Sequence, residues 1–315
     1  SFWIGRFFRL YPLYWVSLAI AVVLWRHGIY PVGGQADESP LSQTLVNITM
    51  VQNFLASVNI LGSAWSLAYE LVFYLFITAL LVMGRTGAAV RSTIGALCLA
   101  CTAGVLIAPV YVLHYESIYT SFLVSMGIIA AAIAFAWPHL PTLQAKVVGS
   151  VCLAAVVLLV LDQPLDLWFS MLLFATIGCG WVYHEAHRGR VAWWTPFALS
   201  AATILTGALH LRLWVGVHEG TIPGSVVTWH PDALTLGVAH VAFALFYLVR
   251  SRSFPAPLRW LGTVSYSVYL VHPVVIHSFH PFDGRPVLTL LTWIVVTLAV
   301  SALTYRLVEL PGQRA

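Results

Sequence analysis

Long apolar stretches separated by short polar loops dominate the chain. A helix needs about 20 mainly apolar residues to cross a bilayer. Ten segments approach that length, near residues 10–25, 63–83, 92–112, 117–136, 147–161, 166–183, 195–212, 232–249, 262–281 and 286–305. A further segment, 41–58, has the pattern of a shorter amphipathic helix lying at the membrane surface. The pattern therefore predicts an all-α fold, a polytopic membrane bundle of about ten transmembrane helices.

The composition agrees with one membrane domain over residues 1–315. Of the 315 residues, 60% are hydrophobic and 8% are charged, whereas about 25% are charged in a soluble domain. Cys98 and Cys101 have C-x-x-C spacing but no second Cys/His pair, so we expect no metal site. No basic run with interleaved aromatic residues is present, and we therefore expect no nucleic-acid partner.

The basic residues predict the orientation of the bundle. With loops assigned alternately to the two sides, only Arg26, Arg212 and Arg285 of the 15 lysines and arginines fall on the second side. Positive residues concentrate in cytoplasmic loops. Both termini are therefore predicted to be cytoplasmic, in a multi-pass protein of the cell (inner) membrane.

Glu70 is the acidic residue that this topology does not place in an aqueous loop. A carboxylate inside a span costs roughly 2.5–3.5 kcal/mol on insertion scales and usually has a function. Ser66, Glu70 and Tyr74 are spaced i, i+4, i+8 and share one helix face. This stripe suits a proton acceptor, or a group that orients a catalytic histidine. The alternative is a structural pair that joins two helices.

Arg6 and Arg9 lie one helical turn apart at the predicted cytoplasmic interface. Guanidinium groups bind phosphate through a bidentate fork, so the pair suits a polyanionic headgroup. Anchoring to anionic lipid is the alternative interpretation.

His272 lies near the predicted middle of its span. Ser265, Tyr269 and His272 share a polar face, on which a neutral imidazole suits a base or a hydrogen-bonding hub. A packing histidine with a hydroxyl partner is the alternative. Near the C-terminus, Arg306 and Glu309 are spaced i, i+3 and predict an ion pair at the surface.

Together these segments resemble the membrane-bound acyltransferase family 3. The shared motifs are R-x-x-R before P-L-Y-W, W-S-L-x-x-E-x-x-F-Y, S-Y-S-x-Y-L-x-H and a terminal E-x-P, found here at 6–15, 65–74, 265–272 and 309–311. The resemblance implies transfer of an acyl group, often acetyl, from cytoplasmic acyl-CoA as co-substrate. The acceptor would be a hydroxyl of a sugar, glycan, lipid or natural product.

The resemblance also implies roles for the candidate residues. Arg6 and Arg9 would bind the donor's phosphates, and Glu70 would belong to the acyl-transfer centre, supported by Tyr74 and Ser66. Family members begin with two earlier helices, which carry a histidine regarded as the catalytic base, and this chain shows no such pattern. We therefore expect either an N-terminally truncated chain or a protein without the usual base, and in either case a chain that is inactive or nearly so by itself. His272 could substitute as the base only if it reaches Glu70.

Two other classes of function fit the same pattern. Buried Glu and His residues in a multi-span protein also suit a proton-coupled transporter or flippase, and a non-catalytic scaffold is the third possibility. Binding of acyl-CoA that weakens when Arg6 and Arg9 are removed would distinguish the enzyme from a carrier.

Overall fold

The computed structural model describes residues 2–32, 39–55, 57–85, 87–106, 129–130, 132–134, 136–140, 142–161, 167–218, 230–282 and 284–314. These residues form helices and no strand. The α-helices are α1 Phe2–Arg26, α2 Pro40–Ile48, α3 Ala64–Val82, α4 Ala89–Leu106, α5 Leu143–Leu161, α6 Leu167–His187, α7 Thr195–His218, α8 His230–Leu248, α9 Ala256–Thr263, α10 Ser265–Ser278, α11 Pro286–Thr304 and α12 Leu310–Arg314. Short 3₁₀ turns occur at Gln52–Leu55 and Trp137–His139, and a π-helical turn at Tyr305–Glu309 joins α11 to α12.

Among the described residues, three helices are long and apolar enough to cross a membrane: Trp3–Arg26, Ala64–Val82 and Pro286–Arg314. Shorter apolar helices occur at Ala89–Cys101, Leu143–Val157 and Asp232–Leu248. Large apolar side chains on α11, such as Val287 and Val295, are 70% and 65% exposed. A bilayer would cover such a surface. Most of the predicted span near 117–136 lies outside the described residues.

The chain forms two compact units, and the boundary between them falls within α3. The first unit comprises Ser1–Ala68 with Ser253–Ala315, and the second comprises Tyr69–Arg252. Ser66, His272, Arg6 and Arg9 therefore belong to the first unit, whereas Glu70 and Tyr74 belong to the second.

In the first unit, α1 is longer than predicted because it begins at Phe2 rather than near residue 10. Arg6 and Arg9 are therefore part of the apolar helix itself. Pro12 lies inside α1 and has no N–H to donate to the carbonyl of Phe8. Gly312 of α12 passes this point so closely that an added Cβ would lie 3.0 Å from that carbonyl oxygen.

The predicted amphipathic helix over 41–58 is wrong in its extent, since α2 ends at Ile48. Met50 follows with a left-handed φ of 65°, a conformation that ends a helix. Side chains of α1 satisfy carbonyls at this end. Tyr14 donates to Asn47 O at 2.6 Å, and Trp15 Nε1 donates to Ile48 O at 3.1 Å. These bonds replace the partners that a longer helix would have supplied.

The span predicted near 262–281 is also wrong in its extent, because the helix is interrupted at Val264 and ends at Ser278. This residue has φ −93° and ψ 6°, so α9 ends at Thr263 and α10 begins at Ser265. Ser265 Oγ donates to Gly262 O at 2.9 Å and satisfies one carbonyl at the end of α9. The S-Y-S-x-Y-L-x-H motif therefore starts its own helix.

In the second unit, small residues allow α4 and α6 to pack closely. A Cβ added at Gly178 would lie 2.5 Å from Thr93 Oγ1. Ala89, Ala175 and Cys179 belong to the same buried cluster. Small side chains at helix crossings are typical of membrane proteins, where close backbone approach supplies the packing energy.

Candidate functional site

Helix α3 brings two of the predicted site residues together. Tyr74 lies one turn after Glu70, and its hydroxyl donates to Glu70 Oε1. Tyr74 is 8% exposed and Glu70 is half-buried. The tyrosine hydroxyl gives the carboxylate a hydrogen-bond donor inside an apolar helix, and the partial exposure leaves the carboxylate accessible. The i, i+4 spacing in the sequence placed the two residues on one helix face, where such a contact can form.

Ser66 contacts a different part of the predicted site. Its hydroxyl hydrogen-bonds the hydroxyl of Tyr269 on α10, and Tyr269 also donates to the carbonyl of Ser63, just before α3. The sequence placed Ser66 and Tyr269 in separate motifs about 200 residues apart. The fold of the first unit joins the two motifs through this pair of hydroxyls.

The imidazole of His272 extends this cluster. Its ring centroid lies 6.1 Å from that of Tyr269. Nδ1 is 3.2 Å from the carbonyl oxygen of Val268, which can only accept a hydrogen bond. We therefore assign the proton of the neutral ring to Nδ1, which leaves Nε2 with the lone pair. In this tautomer Nε2 can accept a proton.

Arg6 and Arg9 occupy successive turns near the N-terminus of α1. Arg6 is half-buried and Arg9 is exposed. The positive charge of Arg9 also interacts electrostatically with the carboxyl group of Glu309 in the same unit. The pair therefore presents two cationic groups at one end of a membrane-length helix, a suitable arrangement for phosphate oxygens.

Glu309, which the sequence predicted in an ion pair at the surface, is a buried carboxyl group. It is 3% exposed, accepts a bond from Ser267 Oγ at 2.7 Å on Oε2, and accepts another from Gln313 Nε2 at 3.0 Å on Oε1. The predicted surface pair with Arg306 is wrong, because Arg306 is exposed and Glu309 turns inward. The π-helical turn ending at Glu309 alters the helical register on which the i, i+3 prediction depended.

The S-Y-S-x-Y-L-x-H motif connects α10 to three neighbouring segments. Tyr266 OH donates to Leu10 O of α1 at 2.7 Å, Ser267 binds Glu309, and Tyr269 binds Ser63. The spacing of the motif indicated only a polar helix face. In the structure its hydroxyl groups connect α10 to the start of α1, the end of the chain and the start of α3.

The sequence matches the family model for an acyltransferase domain over residues 1–306. This match spans nearly the whole chain and confirms the resemblance that the motifs indicated. Searches of curated proteins and of solved structures found no match.

Proposed function

The chain belongs to acyltransferase family 3, and from this premise we propose that it moves an acyl group from cytoplasmic acyl-CoA to a hydroxyl group. The acceptor is a sugar, a cell-envelope glycan, a lipid or a natural product. The hydrogen-bonded Glu70 and Tyr74 pair on an apolar, membrane-length helix is the observation that supports a transfer centre here.

Glu70 serves as the proton acceptor in the proposed reaction. The acceptor hydroxyl loses its proton to the carboxylate as its oxygen attacks the thioester carbonyl. A C–O bond forms, the C–S bond breaks, and the CoA thiolate takes up the proton on leaving. Tyr74 holds the carboxylate in one orientation through its hydrogen bond, so that the proton acceptor is positioned before the substrates arrive.

Ser66, Tyr269 and His272 provide a second proton-handling group within the first unit. The Nε2 lone pair inferred for His272 makes its imidazole suitable as a base. The ring of Tyr269 packs beside the imidazole, and its hydroxyl is held by Ser66 and Ser63. We assign Ser66 a positioning role, because its hydroxyl is engaged with Tyr269.

Arg6 and Arg9 are proposed to bind the phosphates of acyl-CoA. Replacing both with alanine should weaken acyl-CoA binding about 10-fold or more, since a loss of about 1.4 kcal/mol is tenfold in affinity. Arg26→Ala at the opposite end of α1 is the matched control. Calorimetry with acetyl-CoA at two salt concentrations should also show weaker binding at high salt, because exposed charges are screened. Unchanged donor affinity in the double variant would remove these arginines from the donor site.

The membrane arrangement proposed with this function has about ten spans and two cytoplasmic termini, in the inner membrane. The asymmetry of basic residues supports the orientation, and the three membrane-length helices among the described residues support a membrane location. This arrangement places Arg6 and Arg9 on the side from which a cytoplasmic thioester arrives.

Transfer of labelled acyl groups tests the proposed chemistry. Membranes containing the wild-type chain are incubated with radiolabelled acyl-CoA, and label is counted in the extracted glycans and lipids. Glu70→Gln should reduce transfer about 100-fold or more, the range expected for loss of a general base. Asp232→Asn is the control, because it makes the same carboxylate-to-amide change at an exposed position. Transfer at the wild-type rate by Glu70→Gln, as by Asp232→Asn, would refute the role of Glu70.

A further inference from the structure

An apolar cavity lies within the second unit. Its volume is about 470 Å³, within the range of about 300–1,000 Å³ that is usual for small-molecule sites. Helices α3, α4, α5 and α6 all contribute to its lining. The larger side chains of the lining are Phe73, Phe76, Leu99, Met171, Phe174 and Trp181.

The lining provides very little for a polar ligand to bind. Among the described lining residues, the polar groups are the hydroxyls of Ser92 and Thr93 and the indole N–H of Trp181, and Thr93 Oγ1 already donates to Ala89 O of its own helix at 2.9 Å. A ligand with a charged or strongly hydrated group would lose more hydrogen bonds to water than these few groups replace. The cavity therefore suits hydrocarbon.

One glycine of the lining has open space beside it. Gly95 lines the cavity, and a Cβ built at Gly95 would meet no atom within 4 Å. The first carbon of a new side chain at this position would therefore touch no neighbouring helix. Gly180, on α6 and outside the cavity lining, has the same open surroundings.

The cavity begins within one helical turn of the proposed transfer centre. Phe73 follows Glu70 by three residues on α3, a rise of about 4.5 Å along the helix. We propose that the cavity receives the hydrocarbon tail of the transferred acyl group, which makes the substrate a medium- or long-chain acyl thioester. This inference rests on the proposed function, and it replaces the acetyl group that the family resemblance suggested.

The test compares chain-length preference in Gly95→Leu and Gly180→Leu. Both changes add the same side chain to a helix where space is open, but only Gly95→Leu fills the cavity. Displacing about three methylene groups should weaken binding of decanoyl-CoA roughly 50-fold, at the usual cost of exposing hydrocarbon. Binding of acetyl-CoA should be unchanged in both variants, and Gly180→Leu should bind decanoyl-CoA like the wild type.

Photo-crosslinking locates the bound chain. A decanoyl-CoA probe with a terminal diazirine is crosslinked to the protein in nanodiscs, and labelled peptides are identified by mass spectrometry. We expect label on cavity residues such as Phe174 and Trp181, which is lost in Gly95→Leu and retained in Gly180→Leu. A phosphatidylcholine probe with the same diazirine should label these residues much less. Equal labelling by both probes would show an ordinary lipid site and overturn the proposal.

The remaining outcomes separate this inference from the proposed function. Decanoyl-CoA binding that depends on Gly95, in a protein without acyl transfer, would support the cavity and refute the reaction. Acyl transfer with a chain-length preference that Gly95→Leu does not alter would support the reaction and overturn the proposal that the cavity receives the acyl tail. Preference of the wild-type protein for acetyl-CoA over decanoyl-CoA would also overturn it.

Discussion

Ser267→Ala should destabilise the first unit by breaking the bond between α10 and the C-terminal segment. Ser267 is fully buried, and its Oγ donates to Glu309 Oε2 at 2.7 Å. Glu309 is itself 3% exposed, so water cannot readily replace the lost donor. The substitution removes only a hydroxyl group, and the cavity that it leaves is too small to dominate the effect.

The expected loss of unfolding free energy follows from two overlapping ranges of hydrogen-bond energy. Hydrogen bonds to charged groups contribute about 1.5–3 kcal/mol in proteins generally. Interhelical hydrogen bonds in a membrane protein average about 0.6 kcal/mol and reach about 1.7 kcal/mol. Because Gln313 still donates to Glu309, the carboxyl group keeps one partner. We therefore expect a loss of about 1.5 kcal/mol, at the upper end of the membrane range.

Unfolding in mixed micelles measures this loss. Helix content is followed by circular dichroism as the fraction of sodium dodecyl sulfate is increased. A double-mutant cycle with Glu309→Met, which removes the acceptor at similar side-chain size, should give a coupling of about 1 kcal/mol or more. Ser301→Ala, at an equally buried serine of α11 whose hydroxyl makes no hydrogen bond with the described residues, is the control and should change stability by less than about 0.5 kcal/mol. Additive effects of Ser267→Ala and Glu309→Met would refute the reasoning.

Two further predictions concern helix packing. Gly178→Ala should destabilise the second unit by about 1–3 kcal/mol because the new methyl group would meet Thr93 Oγ1. Adding Thr93→Ala should recover part of this loss, and Gly180→Ala should be tolerated. Equal unfolding midpoints for the two glycine variants would contradict the close packing of α4 against α6. Asn47→Ala should cost about 3 kcal/mol, because this fully buried amide bonds three backbone groups. Thr44→Ala, at a half-buried position of the same helix, should lower the free energy of unfolding much less in the same assay. Equal losses for the two variants would argue against the hydrogen bonds of the Asn47 amide.

The sequence predicted most of the helices because apolar stretches of membrane length are a strong local signal. The ends of helices were predicted less well. Met50 adopts a left-handed conformation without being glycine, and Val264 interrupts a helix without a proline at that position. Such breaks are stabilised by partners elsewhere in the fold, such as the α1 side chains that bond to the end of α2. Local pattern alone does not reveal those partners.

In the candidate site, too, contacts within one helix were easier to predict than contacts between distant segments. The bond between Glu70 and Tyr74 is local to one helix, and its spacing was readable in the sequence. Glu309 accepts a hydrogen bond from a serine 42 residues away. In the sequence, the nearby Arg306 had indicated an ion pair at the surface instead. The contact of Ser66 with Tyr269 likewise depends on tertiary folding. Motifs identified these residues as important, but the fold was needed to show which of them meet.

Single-turnover acyl transfer by Glu70→Gln tests the central claim most directly. Wild-type and variant proteins in nanodiscs are loaded with the same radiolabelled acyl-CoA, and donor affinity is measured in parallel. We predict that the variant binds the donor like the wild type but transfers the acyl group about 100-fold more slowly or worse. Wild-type transfer rates in Glu70→Gln, at equal donor occupancy, would contradict the assignment of this carboxylate to the acyl-transfer centre.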